Sequence, residues 1–174
     1  MRRAGAAGSK AVFPRALETE RLRLTAWTRD LDEALVEINA DPEVMRYLRP
    51  GGRPESLAQS QRFAAHWEEH GYGLWALWAD GALVGFAGLS IPYHFPAVLP
   101  AVEVGWRLRR DAWGCGYATE AGRAAVTHGF EALGLDEIVS LIHVDNARSL
   151  AVAERLGLRE RERIGVVSVY ASRA

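Results

Sequence analysis

Residues 101–130, AVEVGWRLRRDAWGCGYATEAGRAAVTHGF, constrain the fold most, because two closely spaced glycines separate a strand pattern from a helix pattern. Val102 to Leu108 reads as a strand with Glu103 on the face opposite Val102 and Val104. From Ala118 to about Leu133 the spacing is helical, and Ala118, Ala121, Ala124 and Ala125 keep that helix slim enough to pack closely on a sheet. Gly114 and Gly116 lie between the two. A turn of this kind aims consecutive backbone N–H groups outward, and the helix N-terminus adds about half a positive charge, so the turn is an anion site. Arg109 and Arg110, just before it, are placed to add contacts to phosphate. The competing reading is a tight turn and nothing more. Two other phosphate loops fail: a P-loop needs a lysine and the only one is Lys10, and a Rossmann fingerprint needs a third glycine where Thr119 stands.

The remaining chain supplies a sheet and helices for this unit. Residues 1–16 show no period and read as a loose tail. Arg21 to Trp27 alternates as a strand, and Leu31, Ala34, Leu35 and Ile38 form a helical stripe that Asp41-Pro42 stops. A second helix starts near Pro54 and ends at Gly71. Residues 73–89, GLWALWADGALVGFAGL, are two apolar runs joined by Asp80-Gly81, a pair suited to a two-residue hairpin, and their apolarity on both faces predicts a central, covered position. After a Pro-rich loop and the unit above come a strand from Ile138 to Val144, a helix from Asn146 to Leu156, and two short strands near Leu158 to Ile164 and Val166 to Ala171. The expectation is one α/β domain with a mixed sheet.

Charge excludes more than it assigns. With 21 Lys plus Arg against 22 Asp plus Glu, the net charge of -1 leaves no basic excess for a nucleic-acid backbone. No apolar stretch approaches the roughly 20 residues of a membrane helix. The solitary Cys115 cannot close an intramolecular disulfide, and with no signal core in the first residues the expected compartment is the cytoplasm.

The segment WGCGYATEA, residues 113–121, resembles the GNAT superfamily of N-acetyltransferases and its ribosomal-protein N-terminal acetyltransferase branch. In the hallmark, Gly116 and Ala118 match while Trp113 replaces the usual Gln or Arg. LETERLRL at 17–24, DPEVMRYL at 41–48 and DNARSLAVAERLGL at 145–158 extend the likeness over most of the chain. The resemblance implies a GNAT-like fold: a mixed, twisted central sheet of six or seven strands flanked by about four helices, over residues 17–174. It also implies acetyl-CoA as co-substrate and direct transfer of its acetyl group to a primary amine in a ternary complex. The CoA pyrophosphate would be held around Trp113, Gly114, Cys115, Gly116, Tyr117, Ala118 and Thr119. The pantetheine arm would pair with the backbone at Trp106 and Leu108, and Asn146 and Ser149 would contact the cofactor. A non-catalytic CoA-binding regulatory domain is the alternative.

Amine acylation needs a proton acceptor, an oxyanion site and a proton for the leaving sulfur. Backbone N–H groups near Gly105 and Trp106 are candidates for the oxyanion. Glu103, a carboxylate half-buried beside an apolar sheet, is the candidate base, with an ion pair to an arginine as the structural alternative. Many relatives supply a Tyr acid at the position of Ala153 here, so Ser149 is left as the candidate acid, or as a binding residue. Asn146 reads equally as a helix cap.

His66, Glu69 and His70 fit the H-x-x-E-H zinc pattern, which short motifs meet by chance, and no metal is expected. The acceptor side is assigned to Arg46 to His70, Tyr93 to Pro100 and the C-terminal hairpin, for a small amine or a peptide N-terminus. That hairpin looks clipped, which would open the acceptor site or leave an edge for a second copy in a homodimer.

Overall fold

The computed structural model describes residues 12–174 and builds around one sheet of eight strands. In chain order the elements are β1 (Ala16–Glu18), β2 (Arg23–Ala26), α1 (Asp32–Ala40), α2 (Arg53–His70), β3 (Leu74–Ala79), β4 (Ala82–Ser90), β5 (Glu103–Leu108), α3 (Tyr117–Glu131), β6 (Glu137–His143), α4 (Ala147–Arg155), β7 (Arg159–Ile164) and β8 (Val167–Arg173). The spatial order is β1-β2-β3-β4-β5-β6-β8-β7, antiparallel except where β5 meets β6.

The β3–β4 hairpin occupies the middle, as its two apolar faces require. Asp80 and Gly81 both have positive φ, 50° and 79°, the backbone a two-residue hairpin turn of this hand needs. Trp75, Ala76 and Leu77 are fully buried. On one face α3 crosses β4 and β5. Its Gly129 permits the close approach, since a Cβ there would come 2.7 Å from Ile138 Cδ1. On the other face α1 and α2 pack together, held to the sheet by Trp27 Nε1, which donates to Ser60 Oγ at 2.8 Å.

Two expectations need correction. The sheet has eight strands rather than six or seven, because β1, only three residues long, adds an edge beside β2. The expected loose tail falls partly outside the described residues, at 1–11, but its end is packed: Phe13 is buried and stacks on Trp75 with ring centroids 4.6 Å apart. In the C-terminal hairpin β8 pairs with β6 from Glu137↔Arg173 through His143↔Val167, and residues 165–166 alone connect it to β7. Its outer strand β7, RERERI, carries Arg163 paired with Glu160 and Arg161 paired with Glu137 and Glu162, a charged edge that discourages strand addition.

The feature that makes a site is the junction of β5 and β6. The strands run parallel but share a single register pair, Glu103↔Val139, with Val139 N–H donating to Val102 O at 2.9 Å. Beyond it they separate, and the β6-facing edge of β5 from Gly105 to Leu108 has no strand partner.

Candidate active site

Sequence determines where the split opens. The next β6 amide that would continue the ladder, Leu141 N–H, points instead at Glu103 Oε1, 3.4 Å away. A carboxylate therefore sits in the crotch of the two strands. Glu103 keeps a little accessible surface but is closely surrounded, and burial pushes its carboxyl up to about 7, with the Leu141 N–H pulling weakly the other way. No arginine pairs with it among the described residues, so the structural alternative of an ion pair is not realised. Two positions along the same face, a Cβ on Gly105 would meet nothing within 4 Å, leaving open space over the free edge.

The turn leading to α3 follows the end of β5. Gly114 and Gly116 have φ of 78° and 83°, a backbone that side chains other than glycine adopt under strain. The amides of Gly114, Cys115, Gly116, Tyr117, Ala118 and Thr119 donate to no protein group among the described residues, and the first α3 amide to find an acceptor is Glu120, to Gly116 O at 3.0 Å. Six successive free donors at the N-terminus of a 15-residue helix form a cradle for an anion.

Other groups hold that turn in place. Trp113 Nε1 donates to Leu108 O at 3.0 Å, tying the turn to the strand end, and the Arg148 guanidinium of α4 lies 4.5 Å from the Trp113 ring. The tryptophan in place of Gln or Arg thus connects β5, the turn and α4. Arg21 Nη1 donates to Cys115 O at 2.7 Å, and Arg21 is itself gripped by Glu120. This clip was absent from the sequence reading. Its only sequence signal is an acid in the first turn of α3, where a helix dipole already favours one.

The other expected site residues distribute unevenly. Asn146 caps α4, its side-chain oxygen accepting from Ser149 N–H at 3.2 Å, while the Ser149 hydroxyl makes no hydrogen bond within the described residues. Cys115 is exposed. Arg109 pairs with Asp111 at 2.9 Å. Arg109 and Arg110 also line an open cavity of about 700 Å³ against Glu37 and Asp41. A second open cavity of about 800 Å³ lies by the β1–β2 turn, lined by Arg21, Trp78 and Tyr117. Neither is the β5–β6 cleft, which is a split between strands rather than a closed hollow.

His66 has no free nitrogen for a metal. Its Nε2 accepts from Ile91 N–H at 3.2 Å, so Nδ1 carries the proton and donates to Tyr72 O at 2.9 Å. Burial holds its protonation below the ordinary range, and the nearby His70 acts in the same direction.

Comparison with known proteins agrees with this geometry. The family described as Acetyltransferase (GNAT) domain matches residues 21–159. The chain is 31% identical over 159 residues to the FsC-acetyl coenzyme A-N(2)-transacetylase of Aspergillus fumigatus, covering 84% of this chain and 66% of that protein, just under two thirds of its length. It is 33% identical over 81 residues to the putative ribosomal N-acetyltransferase YdaF of Bacillus subtilis, covering 47% of this chain and 43% of that one. Among solved structures, an acetyltransferase from Agrobacterium tumefaciens superposes with a TM-score of 0.81 at 28% identity, covering 98% of this chain and 100% of the other.

Proposed function

Because the chain belongs to the GNAT acetyltransferase family, we propose that it is an acetyl-CoA-dependent N-acetyltransferase acting on a primary amine by direct transfer in a ternary complex. The observation that carries this is the series along β5: a carboxylate of raised pKa at its start, an unpaired edge beyond the single pair with β6, and a six-amide cradle tied to its end through Trp113.

These residues fit the co-substrate. The amides from Gly114 to Thr119 would hold its pyrophosphate, and the free edge at Trp106 and Leu108 would pair with its pantetheine arm. When bound it supplies an activated acetyl thioester. The chain must then orient the thioester carbonyl and accept a proton from the amine. Unpaired N–H groups at the split near Gly105 and Trp106 would face the developing oxyanion. Glu103, with its carboxyl about half ionised near pH 7, would take the amine proton directly or through water. Ala153 is fully buried, so no side chain from that position reaches the leaving sulfur. The Ser149 hydroxyl, uncommitted within the fold, is the group left to assist it. An exposed free thiol at Cys115 suits a reducing compartment, the cytoplasm.

The test is thiol release from acetyl-CoA across a panel of small amines and N-terminal peptides, with CoA binding measured in parallel by calorimetry. Turnover that depends on the amine and is lost in Glu103→Gln is expected. Tight CoA binding with no thiol release from any amine would replace this reading with a non-catalytic CoA-binding domain.

A further inference from the structure

Arg107 is an unusual residue to find in the middle of a sheet. It shares a face of β5 with Glu103 and Gly105, and its guanidinium lies 5.3 Å from the Phe86 ring, on the side covered by α1 and α2. A buried guanidinium is ordinarily offset by a carboxylate. Here both protein partners are neutral amides: Nη1 donates to Asn39 Oδ1 at 2.5 Å and to Gln59 Oε1 at 3.1 Å.

Those amides are fixed with their oxygens toward the arginine. Asn39 Nδ2 donates to Ser56 Oγ at 3.0 Å and to Gln59 Oε1 at 3.2 Å, and Ser56 Oγ donates to Gly52 O at 3.1 Å. The network therefore anchors one end of the guanidinium without neutralising it. Nε and Nη2 donate to nothing among the described residues. Neither is sealed away, since the only sealed side-chain nitrogen or oxygen without a partner among those residues is His70 Nε2. Nε and Nη2 form the edge of the fork that grips a carboxylate with two parallel hydrogen bonds. Burial lowers the Arg107 guanidinium to about 10, which still leaves it charged at neutral pH.

The surroundings repeat the sign. Arg62 lies one turn beyond Gln59 on α2, exposed, and Arg49 is exposed on the loop after α1. Neither has an ion-pair partner among the described residues, and after burial these two charges are what hold His94 below its ordinary protonation range. The acids nearest to Arg49 and Arg62 in sequence are occupied: Glu43 pairs with Arg46, Glu68 with Arg15, and Glu55 accepts from Gly52 N–H.

We infer that the acceptor carries a carboxylate as well as its amine, and that Arg107, backed by Asn39 and Gln59 with Arg49 and Arg62 at the mouth, binds that carboxylate. This rests on the acetyltransferase reading and adds the substrate class to it. The same chemistry is offered by a free amino-acid-like amine and by a peptide with an acidic residue next to its N-terminus.

The experiment compares kcat/KM for matched amines: an amino acid, its carboxamide, a diamine of similar length, and N-terminal peptides differing only as Glu and Gln at the second position. Expected is at least a tenfold preference for the carboxylate member of one pair, expressed mainly in KM. The amino-acid pair or the peptide pair showing it identifies the source. In Arg107→Gln the preference should collapse toward one, with CoA affinity reporting that the fold survives. Arg49→Gln combined with Arg62→Gln, both on the surface, should reduce kcat/KM for the carboxylate amine several-fold and flatten its dependence on salt. Carboxamide or diamine used as well as the carboxylate would overturn the inference while leaving acetyl transfer standing. Absence of thiol release with every amine would overturn both.

Discussion

Arg21 and Glu120 are 99 residues apart in sequence, yet the Glu120 carboxylate accepts from the Arg21 backbone N–H and from Nε, each at 2.8 Å, with Nη2 in ion-pair contact at 2.8 Å. Thr19 Oγ1 adds a third donor at 2.6 Å. Through Arg21 Nη1 and Cys115 O this clip reaches the glycine turn, so the shape of the amide cradle depends on a residue of the β1–β2 connection. Arg21→Ala should raise KM for acetyl-CoA by about tenfold with a smaller change in kcat, since it removes charge-assisted bonds that shape the cradle rather than the chemistry. Steady-state kinetics with varied acetyl-CoA check this, and an unchanged KM would show that the turn holds its shape alone.

The same clip makes an acid prediction. Burial alone would raise the Glu120 carboxyl, but the hydrogen bonds from Thr19 and Arg21 outweigh it and hold it below the ordinary range. A depressed folded value means that the contribution to stability is complete above the unfolded value of 4.5 and is lost as pH falls through the folded one. Glu120→Gln should therefore lower Tm at pH 7 and narrow the difference from wild type toward pH 3, as thermal melts across that range would reveal.

Glu103 has the opposite sign. Its folded value of about 7 lies above the ordinary 4.5, so the folded chain holds a proton there that the unfolded chain has released, and stability declines as pH rises between those values. Its ionisation costs up to about 3 kcal/mol above pH 7. Glu103→Gln should thus gain in Tm relative to wild type at pH 8 but not at pH 5. In kinetics wild-type kcat/KM should climb through a midpoint near 7, and the variant should be about a hundredfold slower with that limb gone. A variant that keeps full activity with the same pH profile would remove Glu103 from the reaction.

Local patterns made the architecture legible, while long-range pairings stayed hidden. Asp80-Gly81 marked the central hairpin because its turn has few sequence solutions, and Gly114 and Gly116 marked the turn before α3 for the same reason. β1 was missed because three residues carry no measurable period, and Phe13 because nothing in its neighbours signals that Trp75 awaits it. Arg107 showed only as a charge between core positions. Its meaning comes from Asn39 and Gln59, contributed by two different helices. Arg109 and Arg110 read from the sequence as phosphate contacts by proximity to the turn; that they also line the cavity beside α1, next to the short helical turn at Arg110–Ala112, was not legible there.

Ser149 offers a clean separation of stability from chemistry. Its N–H serves the Asn146 cap, and its hydroxyl makes no hydrogen bond within the described residues, so Ser149→Ala deletes no structural bond. Tm should stay within about 1 °C of wild type, because the removed group stabilises nothing in the fold. If the hydroxyl assists the departing sulfur, kcat should fall by less than the roughly hundredfold expected of a full general acid, since a thiol with a pKa near 8.5 leaves readily. An unchanged kcat would restrict Ser149 to binding or to no role.

His66 is a structural bridge between two backbone segments. Its ring bridges Tyr72 O and Ile91 N–H, joining the end of α2 to the loop that follows β4. His66→Leu leaves both backbone groups without a partner and should cost about 2–4 kcal/mol. Because burial depresses the folded value below 6.5, the bridge is fully effective above that pH and weakens as pH falls through the folded value, when a protonated Nε2 can no longer accept from Ile91. The protection factor of the Ile91 amide, its intrinsic exchange rate divided by the observed one, should therefore fall on acidification in wild type, and in His66→Leu it should be low at every pH. Protection of Ile91 that persists in the leucine variant would show that the loop is held by other contacts.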